Sequence, residues 1–235
     1  HTHPNMSEYP LHAACMNNQL SKVQEYLQNS ENETKEIISK DADNRTALHW
    51  AVSSQAAEIV TYLLSHMKEV DLDTLTDDAG WTPIHIAASI GNVPILKELC
   101  ERQIKPDLNQ VTFQGVTALH LAVSKTHYTT VEYLLANGAS TRIKDKKGQL
   151  PLHRACAIGS SKMVTLLCAK LSPVNAKDNQ GWTPLFQALA EGHGDVAVLL
   201  VNQYSADKDI QDNNEKTASD VALNDEVRKY FENHV

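Results

Sequence analysis

Asp77-Asp78-Ala79-Gly80-Trp81-Thr82-Pro83-Ile84-His85-Ile86-Ala87-Ala88 reads as a turn that opens a helix. Asp77 through Gly80 supply turn chemistry, and Gly80 takes a positive φ without steric cost. Thr82 suits the cap, and Pro83 suits the first helical position, where no amide hydrogen is needed. Ile84, Ala87 and Ala88 then form an apolar stripe at helical spacing.

Approximate copies of this stretch run the length of the chain. Aligned on His85, the same position holds His12, His49, His85, His120, His153, Phe186 and Asp220, at intervals of 37, 36, 35, 33, 33 and 34 residues. Thr46-Ala47-Leu48-His49-Trp50-Ala51, Thr117-Ala118-Leu119-His120-Leu121-Ala122, Leu150-Pro151-Leu152-His153-Arg154-Ala155 and Thr183-Pro184-Leu185-Phe186-Gln187-Ala188 resemble the ankyrin signature, Thr-Pro-Leu-His-x-Ala at a period of about 33 residues. The resemblance implies an all-α ankyrin-repeat solenoid of seven repeats, with short β-turn fingers and a concave groove. The repeats start near 7, 41, 77, 112, 145, 178 and 212.

A stacked array has no single closed core, so residues 6–235 read as one domain in spite of a length that allows two. His1–Asn5 precede Met6 and read as a cloning remnant, with Met6 the natural start. No apolar run approaches 18 residues and no secretory pattern opens the chain, so the expectation is an intracellular protein without a membrane span. Cys15, Cys100, Cys156 and Cys168 show no metal-ligand or paired spacing, and each falls at an apolar helical position, as reduced buried thiols do. Lys plus Arg number 21 against 29 Asp plus Glu, a formal charge of −8, which opposes nucleic-acid binding.

Local departures from the repeat carry their own expectations. The polar insert Asn29–Lys35 lengthens the first interval and is expected to extend a connection without forming a new element. Asn44 stands where other turns have glycine, and asparagine tolerates the left-handed conformation. Leu150 replaces the capping threonine, which should weaken that helix start by about 1 kcal/mol. Ser219 and Asp220 depart from the motif, as a terminal repeat with one neighbour must.

The motif histidines recur once per unit, which points to a structural role, hydrogen-bonding the turn of their own or the adjacent repeat. Neighbouring copies lie roughly 8–10 Å apart by helix stacking, too far to share a metal ion. Glu191-Gly192-His193-Gly194-Asp195 occupies an inter-helix turn and is no phosphate loop; no nucleophile elbow or carboxylate pair exists outside the repeat pattern. The chain therefore reads as a non-enzyme without metal or cofactor. Residues that stacking does not require face the groove: Asp43, Arg45, Asp78, Trp81, Phe113, Lys125, Lys146, Lys147, Trp182 and Glu191. Aromatic and basic side chains on a rigid wall suit a binding surface. Trp81 and Trp182 each fit two roles, a groove contact or packing on the neighbouring turn.

Arg45-Thr46-Ala47-Leu48-His49-Trp50-Ala51, Asp77-Asp78-Ala79-Gly80-Trp81, Ser124-Lys125 and His153-Arg154-Ala155 also resemble the gankyrin family, and Gly192-His193-Gly194-Asp195 its fungal branch. The resemblance implies an assembly chaperone of the proteasome regulatory particle, monomeric on its own and present in cytoplasm and nucleus. Its groove would hold the carboxy-terminal domain of one AAA ATPase subunit, with Arg45 and Lys125 pairing partner carboxylates about 20 Å apart by helix-stacking distances. Gankyrin's retinoblastoma-binding Leu-x-Cys-x-Glu is replaced here by Gln187-Ala188-Leu189-Ala190-Glu191, so that activity is not implied. An adaptor for a kinase or transcription factor is the alternative, since the fold alone hosts many partners.

Overall fold

The computed structural model describes residues 6–235, and the reading of His1–Asn5 as a cloning remnant lies outside the described residues. The described chain is all-helical and contains no strand. Its described residues divide into two compact units, one ending at Phe113 and the other beginning at Gln114.

In the first unit a 3₁₀ turn, Met6–Glu8, precedes α1 (Pro10–Met16), α2 (Leu20–Gln28), α3 (Glu33–Ile37), α4 (Ala47–Ser53), α5 (Ala57–Ser65), α6 (Pro83–Ile90) and α7 (Val93–Cys100). The second unit contains α8 (Ala118–Ser124), α9 (Tyr128–Ala136), α10 (Pro151–Ile158), α11 (Ser161–Ala169), α12 (Pro184–Ala190), α13 (Gly194–Tyr204) and α14 (Asp225–His234). Helices pair as short hairpins. The first members, α1, α4 and α6 in one unit and α8, α10 and α12 in the other, pack in sequence against one another. Before α14 the first member is reduced to a single 3₁₀ turn, Ser219–Val221.

The histidine carries most of this regularity. His49 Nδ1 accepts the Thr46 amide, and the His49 amide donates to Thr46 Oγ1. The same reciprocal cap joins Thr82 with His85 and Thr117 with His120. With Nδ1 accepting, the proton resides on Nε2, which donates to the next turn: His49 to Trp81 O and His85 to Gln110 O, then His120 to Gln149 O and His153 to Trp182 O, all at 2.9–3.0 Å. One neutral imidazole thus satisfies a helix end and a buried carbonyl of the following repeat.

Two substitutions dissect that device. At α10 the cap loses its hydroxyl, yet the helix still begins at Pro151, because Leu150 N–H donates to His153 Nδ1 at 3.0 Å and the Leu150 side chain is buried. At α12 the loss is on the other side. Phe186 replaces histidine, and the buried Thr183 Oγ1 has no hydrogen-bond partner among the described residues.

The insert does not stay a connection. Residues Glu33–Ile37 form α3, correcting the expectation of a longer loop. Asn32 Oδ1 accepts the Lys35 amide, Glu33 and Glu36 lie in the first turn, and Ile37 is fully buried, so a cap, favourable charges and an apolar anchor coincide. Of the cysteines, Cys15 and Cys156 are buried whereas Cys100 and Cys168 are half-buried, and all four are free thiols. Burial pushes the Cys15 thiol up to about 12 and Cys168 to about 11, which leaves them protonated and poorly nucleophilic.

Leu171, just after α11, has φ 61° and is 74% exposed, where the equivalent residue after α9 is Gly138 with φ 94°. A leucine there suffers left-handed strain without burying its side chain. Leu171→Gly is expected to raise stability by about 0.5–1 kcal/mol after allowing for the greater freedom of glycine in the unfolded chain. A fall in the urea midpoint would show that the leucine contributes packing that outweighs its strain.

Candidate partner-binding site

The turns that precede the first helix of each hairpin share one construction. In those beginning with Asp41, Asp77, Asp145, Asp178 and Asp212, the aspartate's Oδ1 accepts two amides of its own turn, two and four residues on: Asp43 and Arg45, Ala79 and Trp81, Lys147 and Gln149, Gln180 and Trp182, Asn214 and Lys216. Successive turns are joined by one backbone bond, such as Asp78 N–H to Asp43 O and Phe113 N–H to Ala79 O in the first unit. Asn179 N–H to Lys147 O and Asn213 N–H to Gln180 O repeat it in the second. Gly80 (φ 79°) lies so close under Phe113 that a Cβ there would come within 2.7 Å of its ring and backbone. Glycine is required at that position.

The second carboxylate oxygen takes a donor from elsewhere. Arg45 Nε donates to Asp77 Oδ2 at 3.3 Å, Gln149 Nε2 to Asp178 Oδ2 at 3.3 Å, and Trp182 Nε1 to Asp212 Oδ2 at 2.9 Å. In each case the fifth residue of one turn reaches the first residue of the next. The Val116 side chain has no donor, and Asp145 Oδ2 is held instead by Arg154 Nη2 at 3.2 Å, whose Nη1 also donates to Ser124 Oγ. Trp50 Nε1 holds Asp41 Oδ2 at 2.7 Å.

These contacts sort the residues read from sequence. Asp43, Arg45, Asp78 and Trp81 come together with Asp77 and Ala79 around a pocket of about 330 Å³ in the first unit. Arg45 is not free there: besides Asp77, its guanidinium lies 4.8 Å over the Trp50 ring. Lys146 and Lys147 line a second pocket, about 580 Å³, in the second unit. Arg154 and Asp145 bring further charge to it, and Val116 and Ile158 give it an apolar wall. Phe113 is 56% exposed. Lys125, at the end of α8, and Glu191, at the end of α12, are exposed but line neither pocket.

The two tryptophans differ. Trp182 stacks on Phe186 with ring centroids 5.7 Å apart and donates its indole N–H to Asp212, so packing on the neighbouring turn is its observed role. Trp81 is half-buried, tilted against His85 at 6.3 Å, and faces its pocket.

Sequence reasoning missed Arg154 and Asp77. Arg154 follows motif His153 as Trp50 follows His49, and that shared register was the available signal. Asp77 was read only as a turn residue, but it also neutralises Arg45. A cavity of about 720 Å³ between α2 and α3, lined by Tyr26, Lys22, Lys35 and Glu36 among others, was not foreseen because the insert was read as a loop. His193, in the turn after α12, donates from Nε2 to Ala157 O near the end of α10 at 3.0 Å.

Charge divides the two pockets. The first contains three aspartates and one arginine, the second two lysines and an arginine against one aspartate. Among the described residues no group of three or more His, Cys, Asp or Glu is placed to hold a metal ion, and no helix is long and apolar enough to cross a membrane.

Comparison with known proteins gives a consistent picture. A family model described as ankyrin repeats (3 copies) matches residues 1–74, 66–145 and 137–212. A Saccharomyces cerevisiae protein described as "Probable 26S proteasome regulatory subunit p28" is 55% identical over 231 residues, 98% of this chain and 100% of that protein. The nuclear factor NF-kappa-B p105 subunit of Gallus gallus is 29% identical over 160 residues, 67% of this chain but 16% of that protein. Among solved structures, the ankyrin repeat domain of Bcl-3 matches with a TM-score of 0.80 at 27% identity, covering 96% of this chain and 99% of that domain.

Proposed function

The chain belongs to the ankyrin-repeat proteins and, among them, to the gankyrin family, and from that premise we propose that it is a non-enzymatic scaffold that binds the carboxy-terminal domain of one AAA ATPase subunit during assembly of the proteasome regulatory-particle base. The near full-length identity to the yeast regulatory subunit supports this reading most directly. Each unit presents a charged pocket built on rigid turns, acidic in the first and basic in the second, and each offers charge to a partner. Charge patterning of this kind sets specificity and association rate more than raw affinity. Cytoplasm and nucleus are the compartments such a function needs, and the scaffold acts as a monomer.

Lys146 and Lys147 receive acidic side chains of the partner. Arg45 is the poorer test residue, because reversing its charge would place a glutamate beside Asp77 and disturb the turn itself. Binding of the isolated ATPase carboxy-terminal domain, measured by calorimetry at low and high salt, tests the assignment. Lys146→Glu with Lys147→Glu is expected to weaken binding by roughly tenfold or more, with the unaltered protein losing affinity as salt rises. Unchanged affinity in the double variant would remove the second pocket from the interface. No binding of any ATPase domain, together with capture of a transcription factor, would favour the adaptor reading that the likeness to Bcl-3 and p105 suggests.

A further inference from the structure

In the turn register described above, the fifth residue of one turn donates to the second carboxylate oxygen of the next turn's first residue. Trp81 is the fifth residue of its turn, and the next turn begins at Thr112. The backbone geometry is equivalent to that around Trp182: Phe113 N–H donates to Ala79 O as Asn213 N–H donates to Gln180 O, each at 3.0 Å. Thr112 therefore stands where Asp212 stands. A threonine has one side-chain oxygen where aspartate has two. Trp182 Nε1 bonds to that second oxygen, and Trp81 Nε1, among the described residues, bonds to none.

We infer that Thr112 leaves the Trp81 indole N–H as a donor for the partner, and that the first pocket takes a basic side chain of that partner. The inference rests on the scaffold reading above. The pocket's chemistry supplies the class of side chain. Asp77 is saturated by its turn amides and Arg45, and Asp78 accepts from Asn44 Nδ2, while the Asp43 carboxylate has no partner among the described residues. One uncompensated carboxylate, a second on the rim and the half-buried indole that lines the pocket attract a guanidinium or ammonium group through charge and ring quadrupole together. The indole N–H, repelled by that cation, meets the neutral acceptor adjacent to it, a backbone carbonyl of the same partner segment. Arg45 lines the same pocket with its Nε held by Asp77.

The probe is the isolated ATPase carboxy-terminal domain. Trp81→Phe keeps a ring and removes the donor, and is expected to weaken binding about two- to tenfold. Thr112→Asp restores the missing oxygen; the Trp81 indole proton should shift in the NMR spectrum as it is captured, the melting temperature should hold or rise, and affinity should fall by a similar factor. In the Thr112→Asp background Trp81→Phe should then cost nothing further, a coupling that a purely structural tryptophan would not produce. Asp43→Asn should weaken binding as well.

Wild-type affinity in Trp81→Phe would overturn the donor assignment, whether or not Thr112→Asp folds. Tighter binding by Asp43→Asn would overturn the basic occupant and point to an anion. Failure of the unaltered protein to bind the domain would instead sink the scaffold reading, and this inference with it.

Discussion

Acidification from pH 7 toward pH 4 is expected to unfold this protein, through its histidines. Burial holds His49 and His120 down at about 4 in the folded chain, against 6.5 for the free side chain, with Asp77 and Asp145 opposing the shift only in part. His12 and His153 are lowered by burial as well. The bonds act in the same direction as burial: Nδ1 accepts an amide N–H, so a proton added there would displace it. A histidine whose folded pKa is depressed favours the folded state fully above 6.5. That preference is lost as pH falls from 6.5 toward 4, because the unfolded chain binds protons that the native chain refuses. For His49 and His120 the loss is roughly 3 kcal/mol each, on the order of 6 kcal/mol together, comparable with the entire stability of an ordinary domain. Urea titrations at pH 7, 6 and 5 check it. A midpoint that does not move between pH 7 and pH 5 would mean that the histidines are not held neutral.

The same bonds mark how far the sequence could be read. The recurring histidine, the threonine three residues before it in the repeats of His49, His85 and His120, and the turn glycine announce the hairpins, because the cap is local: donor and acceptor lie three residues apart. The bond from His Nε2 to the next turn was foreseeable for the same reason, given the period. What could not be read was competition between repeats. Arg45 and Trp182 are the right residue types for a binding wall, but the carboxylates that engage them, Asp77 and Asp212, lie 32 and 30 residues away in sequence. Only a register worked out from the structure shows that these acids face them. Thr112 stands in the sequence where Asp41, Asp77, Asp145, Asp178 and Asp212 stand in the other turns, but its consequence for Trp81 follows only from the register. In the insert the Asn32 cap and the acidic first turn are local, but the burial of Ile37 that anchors α3 is revealed by no local pattern.

Arg45 and Arg154 illustrate how charge is divided between holding the array and serving its surface. Each bonds to a turn aspartate, at 3.3 and 3.2 Å, with side-chain exposures of 20% and 23%. In both pairs the aspartate is nearly inaccessible, so its charge is desolvated and removal of the arginine would leave it uncompensated. Lysines 146 and 147, exposed and unnecessary to the turn beyond their backbone groups, are the side chains on which a partner can act without such a penalty.

Removal of residues 212–235 is the second change with a large expected effect. It deletes the acceptor of the Trp182 indole and the backbone bonds from Asn213 to Gln180 and from Leu223 to Leu189. It also strips α12 of the Ser219–Val221 turn and α13 of α14, taking away Phe231, which is 1% exposed. In an array each repeat is stabilised chiefly by its neighbours, so α12 and α13 would present an apolar face to water. Loss of the Phe231 packing alone is worth about 3–5 kcal/mol, and an indole left without its acceptor adds about 1–3 kcal/mol. The shortened chain is expected to melt well below the full one and to aggregate near room temperature, with Phe231→Ala reproducing a substantial part of the drop while keeping every backbone bond. Calorimetry and size-exclusion chromatography distinguish the outcomes: a soluble, monomeric truncation with an unchanged melting curve would show that α14 caps nothing, and that Phe231 is buried without stabilising the helices beneath it.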